Sequence, residues 1–237
     1  MPAFRPSGNN GSVTDEFINS GDTLILGEII TPVTTAGAST ILGNQLIDNI
    51  INRTGTQAGA FTDTFDTSTN LVAALSSGSN NNYPNVGPNS TFRLRYINNT
   101  TGGYTATITL GAGMLQGIGT FTVAAATWKE FLFTILNAQN PLSINGTTTN
   151  GSPTVLFQLQ TGQISLPIGP YSGADNIMPG CFVSGTNIPA GTTVLGVTQG
   201  QGGIVGVTLS ANATGSGTQQ LSFAPYVKVD EIGGGTA

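Results

Sequence analysis

The sequence contains no histidine, one cysteine and very few charged side chains. Of its 237 residues, 6 are Lys or Arg and 11 are Asp or Glu, so charged residues make up 7% of the chain, whereas an ordinary soluble protein has about 25%. Without histidine, neither a Ser-His-Asp triad nor an imidazole-based acid–base relay can form. A zinc site of His and Cys ligands and an intrachain disulfide are excluded in the same way. We therefore expect no catalytic residue, no metal and no cofactor.

Two further absences limit the partners. The formal net charge is -5, and a field of that sign repels phosphate backbones, so nucleic acid is an unfavourable partner. No apolar run reaches the roughly 18 residues that a membrane span needs, and the first residues lack the apolar region of a secretory signal. We expect a protein that binds neither nucleic acid nor membrane and that is made in a cytosol, where it stays or from which it leaves within a larger particle.

The residues that are present favour sheets and association. The chain has 34 glycines, and Thr, Asn and Ser take the place of charged residues. Hydroxyl and amide groups lose little solvation free energy when a similar surface covers them. Such a surface suits a permanent assembly, and the alternative is an ordinary domain that simply carries little charge.

The distribution of strand-like segments predicts an all-β fold with two parts. We expect an extended N-terminal arm over residues 1–20, ordered only against a neighbour, and a β-sandwich-like domain with one or two short helices over 21–145. A smaller β domain follows over 154–225, after a polar linker at 145–153. Residues 226–237 are predicted to form an edge strand with a flexible, glycine-rich tail.

Several local patterns make these expectations specific. Apolar residues at four-residue spacing over 42–51 predict one helix, and residues 69–75 predict a second, capped near Asp66. Alternating side chains over 91–97 and 104–110 predict two strands of a hairpin. Residues 127–137 alternate as well, with Trp128 and Glu130 on one face and Phe131 and Phe133 on the other.

A few polar residues could carry chemistry. Asp63 and Asp66 could bind calcium or act as a carboxylate pair, but the other ligands of a calcium loop are absent, so we favour a turn role for Asp63 and a capping role for Asp66. Arg93 and Arg95 share one strand face, where they could clamp a carboxylate or a glycan; we favour pairing with an acid of a neighbouring strand or subunit. Cys181 is predicted to be a buried small hydrophobe.

Two stretches resemble virus proteins. The first combines Arg-Thr-Gly at 53–55, Phe-Thr-Asp-Thr at 61–64, a short helix and a strand ending in Asn-Asn-Thr at 98–100. It resembles virion structural proteins of tailed bacteriophages and of some large DNA viruses. The second, Gly-x-x-Val-x-Gly-Thr-x-Ile-Pro-x-Gly-Thr-Thr-Val at 180–194, resembles a small β module of phage tail, fibre and capsid-associated proteins. Its predicted core is Val183, Ile188 and Val194.

The resemblance implies a non-enzymatic component of the virion, assembled in the host cytoplasm. The most direct expectation is a capsid decoration or minor capsid protein that binds the major capsid protein or other virion proteins and associates with itself, with a trimer as the expected state. The candidate contact residues are Phe4, Arg5, Val13, Phe17, Arg93 and Arg95. The alternative is a tail or head fibre module that binds host glycans through Tyr83, Tyr171 or the loops of the second domain.

Overall fold

A computed structural model describes residues 29–77, 86–139, 141–157, 177–200 and 203–237. Strands dominate these ranges, which contain only two short helices, and the predicted all-β class is confirmed. The predicted arm at 1–20 lies outside the described residues. The helices are α1 (Gly43–Leu46) and α2 (Ser68–Ser77). The strands are β1 (Ile29–Val33), β2 (Ser39–Ile41), β3 (Asn49–Arg53), β4 (Phe61–Phe65), β5 (Thr91–Asn98), β6 (Ala106–Leu110), β7 (Met114–Gln116), β8 (Thr122–Val123), β9 (Thr127–Asn137), β10 (Leu142–Thr148), β11 (Thr154–Phe157), β12 (Phe182–Ser184), β13 (Val194–Gly200), β14 (Gly203–Leu209), β15 (Gly217–Ala224) and β16 (Tyr226–Thr236).

The first part of the chain coils between two sheets. Strands β1, β3 and β5 pair in parallel in sheet I, and β2, β4 and β6 pair in parallel in sheet II. Each time the chain crosses to the other sheet and returns, it lies one strand further along, so this region forms three coils of a short β-solenoid. The turns between the sheets also stack, since the Thr101 N–H donates to the Gly55 carbonyl at 3.0 Å.

Antiparallel strands complete both sheets. Sheet I has the order β1-β3-β5-β9-β16-β7, and sheet II has the order β2-β4-β6-β8. Between the two sheets lies an aromatic core: Phe65 of sheet II contacts Phe131 edge-on at 5.6 Å, and Phe92 stacks on Phe133 at 4.7 Å. The fully buried Leu71 of α2 belongs to the same core.

The second part of the chain forms sheet III, with the order β12-β15-β10-β11-β14-β13. It has its own apolar cluster, in which Val183 and Val194 are buried and Ile188 packs against them, as the sequence pattern predicts. Cys181 is fully buried in this cluster, which agrees with its predicted role as a small hydrophobe. Since β10 begins at Leu142, the predicted linker at 145–153 is partly strand.

Two predicted elements are wrong in this structure. Of the expected helix over 42–51, only Gly43–Leu46 is helical, because Asn49 adopts a positive φ of 80° that ends the turn and Asn49–Arg53 then pairs as a strand. Residues 91–97 and 104–110 form strands but not a hairpin, since β5 lies in sheet I and β6 in sheet II.

The C-terminal strand also differs from its prediction. It lies inside sheet I between β9 and β7, and its pairing with β9 continues to Thr236, so the glycines at 233–235 belong to the sheet. Its buried Val227 and Val229 belong to the first core, which therefore combines the N-terminal part of the chain with its last strand. The boundary of the second unit thus lies before Leu142 and after Ala224.

Candidate functional site

The most polar part of the interior is a cluster of three fully buried residues, Arg53, Asp63 and Tyr96. The Arg53 Nε–H donates to Asp63 Oδ2 at 2.8 Å, and the Tyr96 hydroxyl donates to the same oxygen at 2.6 Å. The Ser39 N–H donates to Asp63 Oδ1 at 3.0 Å. Burial, followed by the charge of Asp63, raises the pKa of Tyr96 far above its usual range. The cluster is therefore an internal ion pair with every charged group hydrogen-bonded.

Arg53 also holds the first turn of the solenoid. Its guanidinium donates to the carbonyls of Val33 at 3.1 Å, Thr35 at 2.5 Å and Gly37. Gln57 supports the same turn, because its side chain accepts from the Gly37 N–H at 2.7 Å and donates to the Thr35 carbonyl at 3.2 Å. One buried side chain of the second coil thus fixes the backbone of the first coil.

Asp63 and Asp66 have separate structural roles. Asp63 lies in the interior of a strand, so its predicted turn role is wrong, and its carboxylate is enclosed by the contacts described above. Asp66 accepts from the Thr67 N–H at 2.8 Å and from the Gly43 N–H at 3.0 Å, just before α2. The predicted capping role of Asp66 is wrong, because the Thr67 hydroxyl is the group that accepts from the Asn70 N–H, at 3.2 Å. Within the described ranges, no three His, Cys, Asp or Glu side chains are grouped as metal ligands.

Arg93 and Arg95 lie on the outer face of sheet I and share one acid. Their guanidinium groups reach Glu130 of the neighbouring strand at 3.4 Å and 3.9 Å, so the predicted partner is an acid of this same chain. Both arginine side chains remain exposed, at 63% and 46%. The Arg95 guanidinium also stacks over the ring of Trp128, 4.6 Å from its centre.

Trp128 in turn covers the glycines of β16. Its Nε1–H donates to the Thr236 carbonyl at 3.1 Å, and a Cβ on Gly235 would lie 3.2–3.3 Å from ring atoms of Trp128. The indole ring can pack directly on the backbone of β16 because residues 233–235 have no side chains. Sequence reasoning missed this contact, although an aromatic residue opposite a run of glycines is a signal that could have revealed it.

A broad, shallow groove of about 800 Å³ opens beside these glycines. One wall carries Thr105 and Thr122 from the side of sheet II, and the other is Gly233–Thr236 of β16. On its floor Lys129 pairs with Glu231 at 2.9 Å. Burial acts to raise the pKa of Glu231, but the Lys129 ammonium and the Thr120 N–H outweigh it and hold that pKa below its usual value.

Two other surfaces carry no ionised side chain on the strands that form them. Every residue that points outward from the strands of sheet II is a threonine, namely Thr40, Thr62, Thr64, Thr107, Thr109 and Thr122. Pairing aligns them in rows, so that Thr64 lies between Thr40 and Thr109, whose hydroxyl is 2.8 Å from that of Thr64. The outward residues of β10 and β15 are Ser143, Asn145, Thr147, Thr218, Gln220 and Ser222. Residues 141–224 contain a single charged side chain, Asp175.

The structure brings together only part of the predicted site. Arg93 and Arg95 lie side by side on sheet I, whereas Phe4, Arg5, Val13 and Phe17 lie outside the described residues, as do Tyr83 and Tyr171 of the glycan alternative. Comparison with known protein families, curated proteins and solved structures found no match. Among the residues that the structure describes, no helix has the length and apolar character to span a membrane.

Proposed function

We propose that the protein is a non-enzymatic virion structural protein, a capsid decoration or minor capsid protein that binds the particle surface and neighbouring copies of itself. The observation that carries this proposal is the pair of uncharged faces on sheets II and III. Covering hydroxyl and amide groups with a similar surface costs little desolvation, whereas a face of ionised groups would have to be paired or neutralised.

The distribution of charge supports the same function. Arg53, Lys129 and Lys228 each pair with an acid of this chain, and Arg93 and Arg95 share Glu130. Charge is therefore largely neutralised within the first unit, and the second unit is almost free of it. A surface with so little charge has a weak long-range field to keep copies apart, which favours close packing on a particle.

Quantitative mass spectrometry of purified virus particles tests the proposal. A decoration or minor capsid protein should be present in many copies per particle, in a fixed ratio to the major capsid protein. A few copies confined to a vertex or tail would instead favour the fibre interpretation, and absence from purified particles would contradict both.

Removal of residues 1–20 tests the role of the arm in this function. The variant should bind particles at least about tenfold more weakly, the effect of losing roughly 1.4 kcal/mol of contact. Its Trp128 fluorescence and unfolding midpoint should match those of the full chain, since the first residue of the described core is Val33. Normal particle binding by the shortened chain would contradict the predicted role of the arm.

A further inference from the structure

The outer face of sheet I differs in composition from the uncharged faces of sheets II and III. Side chains alternate between the two faces of each strand, so the buried Ile51 and Tyr96 place Ile50 and Arg95 on the outer face. Strand pairing aligns the outward residues in rows, of which two are Ile30, Ile50, Arg95 and Glu130, and Pro32, Asn52, Ile97 and Trp128. This face therefore combines large apolar side chains with charged ones.

Trp128 and Arg95 form an ordered pair on this face. The Arg95 guanidinium lies over the Trp128 ring, 4.6 Å from its centre, and the Trp128 Nε1–H donates to the Thr236 carbonyl at 3.1 Å. Tryptophan and arginine are enriched among the residues that contribute most to binding at protein–protein interfaces. Because these contacts restrict both side chains in the free protein, less conformational entropy is lost when a partner covers them.

Two guanidinium groups on this face share one carboxylate. Arg93 donates to Glu130 Oε1 at 3.4 Å, whereas Arg95 lies 3.9 Å from Glu130 Oε2, which is too far for a hydrogen bond. A guanidinium has five N–H donors, and both side chains are exposed, so most of these donors are open to a partner. The pair also carries one positive charge more than Glu130 neutralises, on a chain whose net charge is -5. A carboxylate on the partner would complement this charge.

Apolar side chains border the two arginines. Ile30 is 61% exposed and lies in the row of Arg95, with Ile50 between them. In the next row Ile97 lies beside Trp128. A partner surface that places a carboxylate among apolar side chains would pair with the arginines and cover these isoleucines at the same time.

A second copy of the chain is a poor complement to this surface. Of the acids in the described ranges, Asp48 and Asp66 are the two that form no ion pair. The Asp48 carboxylate accepts from the Thr31 hydroxyl of its own chain. The Asp66 carboxylate accepts from the N–H groups of Gly43 and Thr67. Both carboxylates are thus engaged within their own chain, which favours a different protein as the occupant.

From these observations we infer that the outer face of sheet I, around Arg93, Arg95 and Trp128, binds a different protein of the particle through a carboxylate flanked by apolar side chains. The inference rests on the proposed function, in which the protein attaches to a particle surface, and it assigns that attachment to sheet I. The uncharged faces of sheets II and III are then left for contacts between copies.

Binding to purified virus particles that were assembled without the protein tests this assignment. Arg93→Gln and Arg95→Gln each remove one guanidinium charge and should raise the dissociation constant for particles by about tenfold or more. Asn212→Asp makes the same change in net charge at an exposed position of the second unit, so it is the matched control and should bind as the native chain does. All three variants should keep the unfolding midpoint of the native chain to within the small effect of an exposed ion pair.

The apolar and electrostatic parts of the surface can be tested separately. Ile30→Ser should weaken particle binding severalfold. Leu195→Ser is its matched control, because Leu195 is 63% exposed in the second unit, and it should leave binding unchanged. Added salt screens exposed charges, so it should weaken particle binding by the native chain more than binding by Arg93→Gln.

The outcomes separate this inference from the proposed function. Particle binding that Arg93→Gln, Arg95→Gln and Ile30→Ser leave unchanged would overturn the assignment to sheet I and leave the function standing. Weaker self-association of Arg93→Gln in light scattering, with unchanged particle binding, would overturn it in favour of a second copy. Loss of binding to acidic saccharides on a glycan array, again with unchanged particle binding, would overturn it in favour of a saccharide site. A native chain that is absent from virus particles and does not bind them would remove the function itself.

Discussion

Replacing Asp63 by Asn should destabilise the first unit more than any other change of a single polar atom. The carboxylate accepts bonds from Arg53 at 2.8 Å, Tyr96 at 2.6 Å and the Ser39 N–H at 3.0 Å, and its side chain is fully buried. Asn preserves the shape but removes the charge. It also presents an NH₂ group to at least one of these donors.

The expected magnitude follows from what remains in the interior. Arg53 would stay buried as a positive charge without a carboxylate, a situation that costs about 3–5 kcal/mol. Tyr96→Phe removes one hydrogen bond to that carboxylate and should cost about 1.5–3 kcal/mol. Glu130→Gln is the matched control, because it makes the same change in an exposed ion pair, where the cost is below about 1 kcal/mol.

Urea unfolding followed by the fluorescence of Trp128 provides the assay. Trp128 is the only tryptophan of the chain and lies in sheet I, so its signal reports on the unit that contains Asp63. The free energy of unfolding should be highest for Glu130→Gln, lower for Tyr96→Phe and lowest for Asp63→Asn. A loss in Asp63→Asn that is no larger than in Glu130→Gln would refute the argument that the buried cluster of Arg53, Asp63 and Tyr96 stabilises this unit.

Three further predictions concern other parts of the fold. Burial raises the pKa of Cys181 from 9.0 to about 12. Above pH 9 the thiol loses its proton in the unfolded chain before it does in the folded chain, so the free energy of unfolding should fall by about 1.4 kcal/mol per pH unit. Cys181→Ala should flatten this slope in alkaline unfolding curves. Gly113 and Gly151 share a φ of +77°. A Cβ on Gly113 would lie only 2.0 Å from the Ser68 hydroxyl, whereas a Cβ on Gly151 would have no atom within 4 Å. Gly113→Ala should therefore lower the thermal midpoint well below that of Gly151→Ala. Phe133→Ala removes a buried ring of the core and should cost about 3–5 kcal/mol in the same urea assay.

Strand positions and strand faces could be predicted from alternation. The strand at Thr127–Asn137 begins and ends where the pattern does, and Phe131 and Phe133 point inward as expected. Alternation reports which side chains are buried, since each face of a strand meets one environment. It also identified the apolar core of the second unit at Val183, Ile188 and Val194.

Strand partners could not be predicted in the same way. The segments at 91–97 and 104–110 alternate as the two arms of a hairpin would, yet they pair with β3 and β4 of the preceding coil. Parallel pairing between distant segments leaves no local signal comparable to a two-residue hairpin turn. The helix predicted from the four-residue spacing of apolar residues over 42–51 failed for a related reason. That stretch changes from strand to a single helical turn and back, so its spacing matches the helical period only by coincidence.

The buried arginine explains how such a fold can keep its register without a local signal. Parallel coils of similar strands could slip by two residues and still bury apolar side chains, so apolar pattern alone specifies their alignment weakly. In the native register, Arg53 of the second coil donates to carbonyls of the first turn. Its partner Asp63, of the same coil, accepts from Ser39 of the first coil and from Tyr96 of the third. A slip of a neighbouring coil by two residues would break these bonds and leave the polar groups in the interior without those partners, at a cost of about 1–3 kcal/mol for each group left unsatisfied. The hydrogen bonds from this buried pair to the first and third coils therefore penalise the misaligned states, which two apolar side chains in the same space would not do.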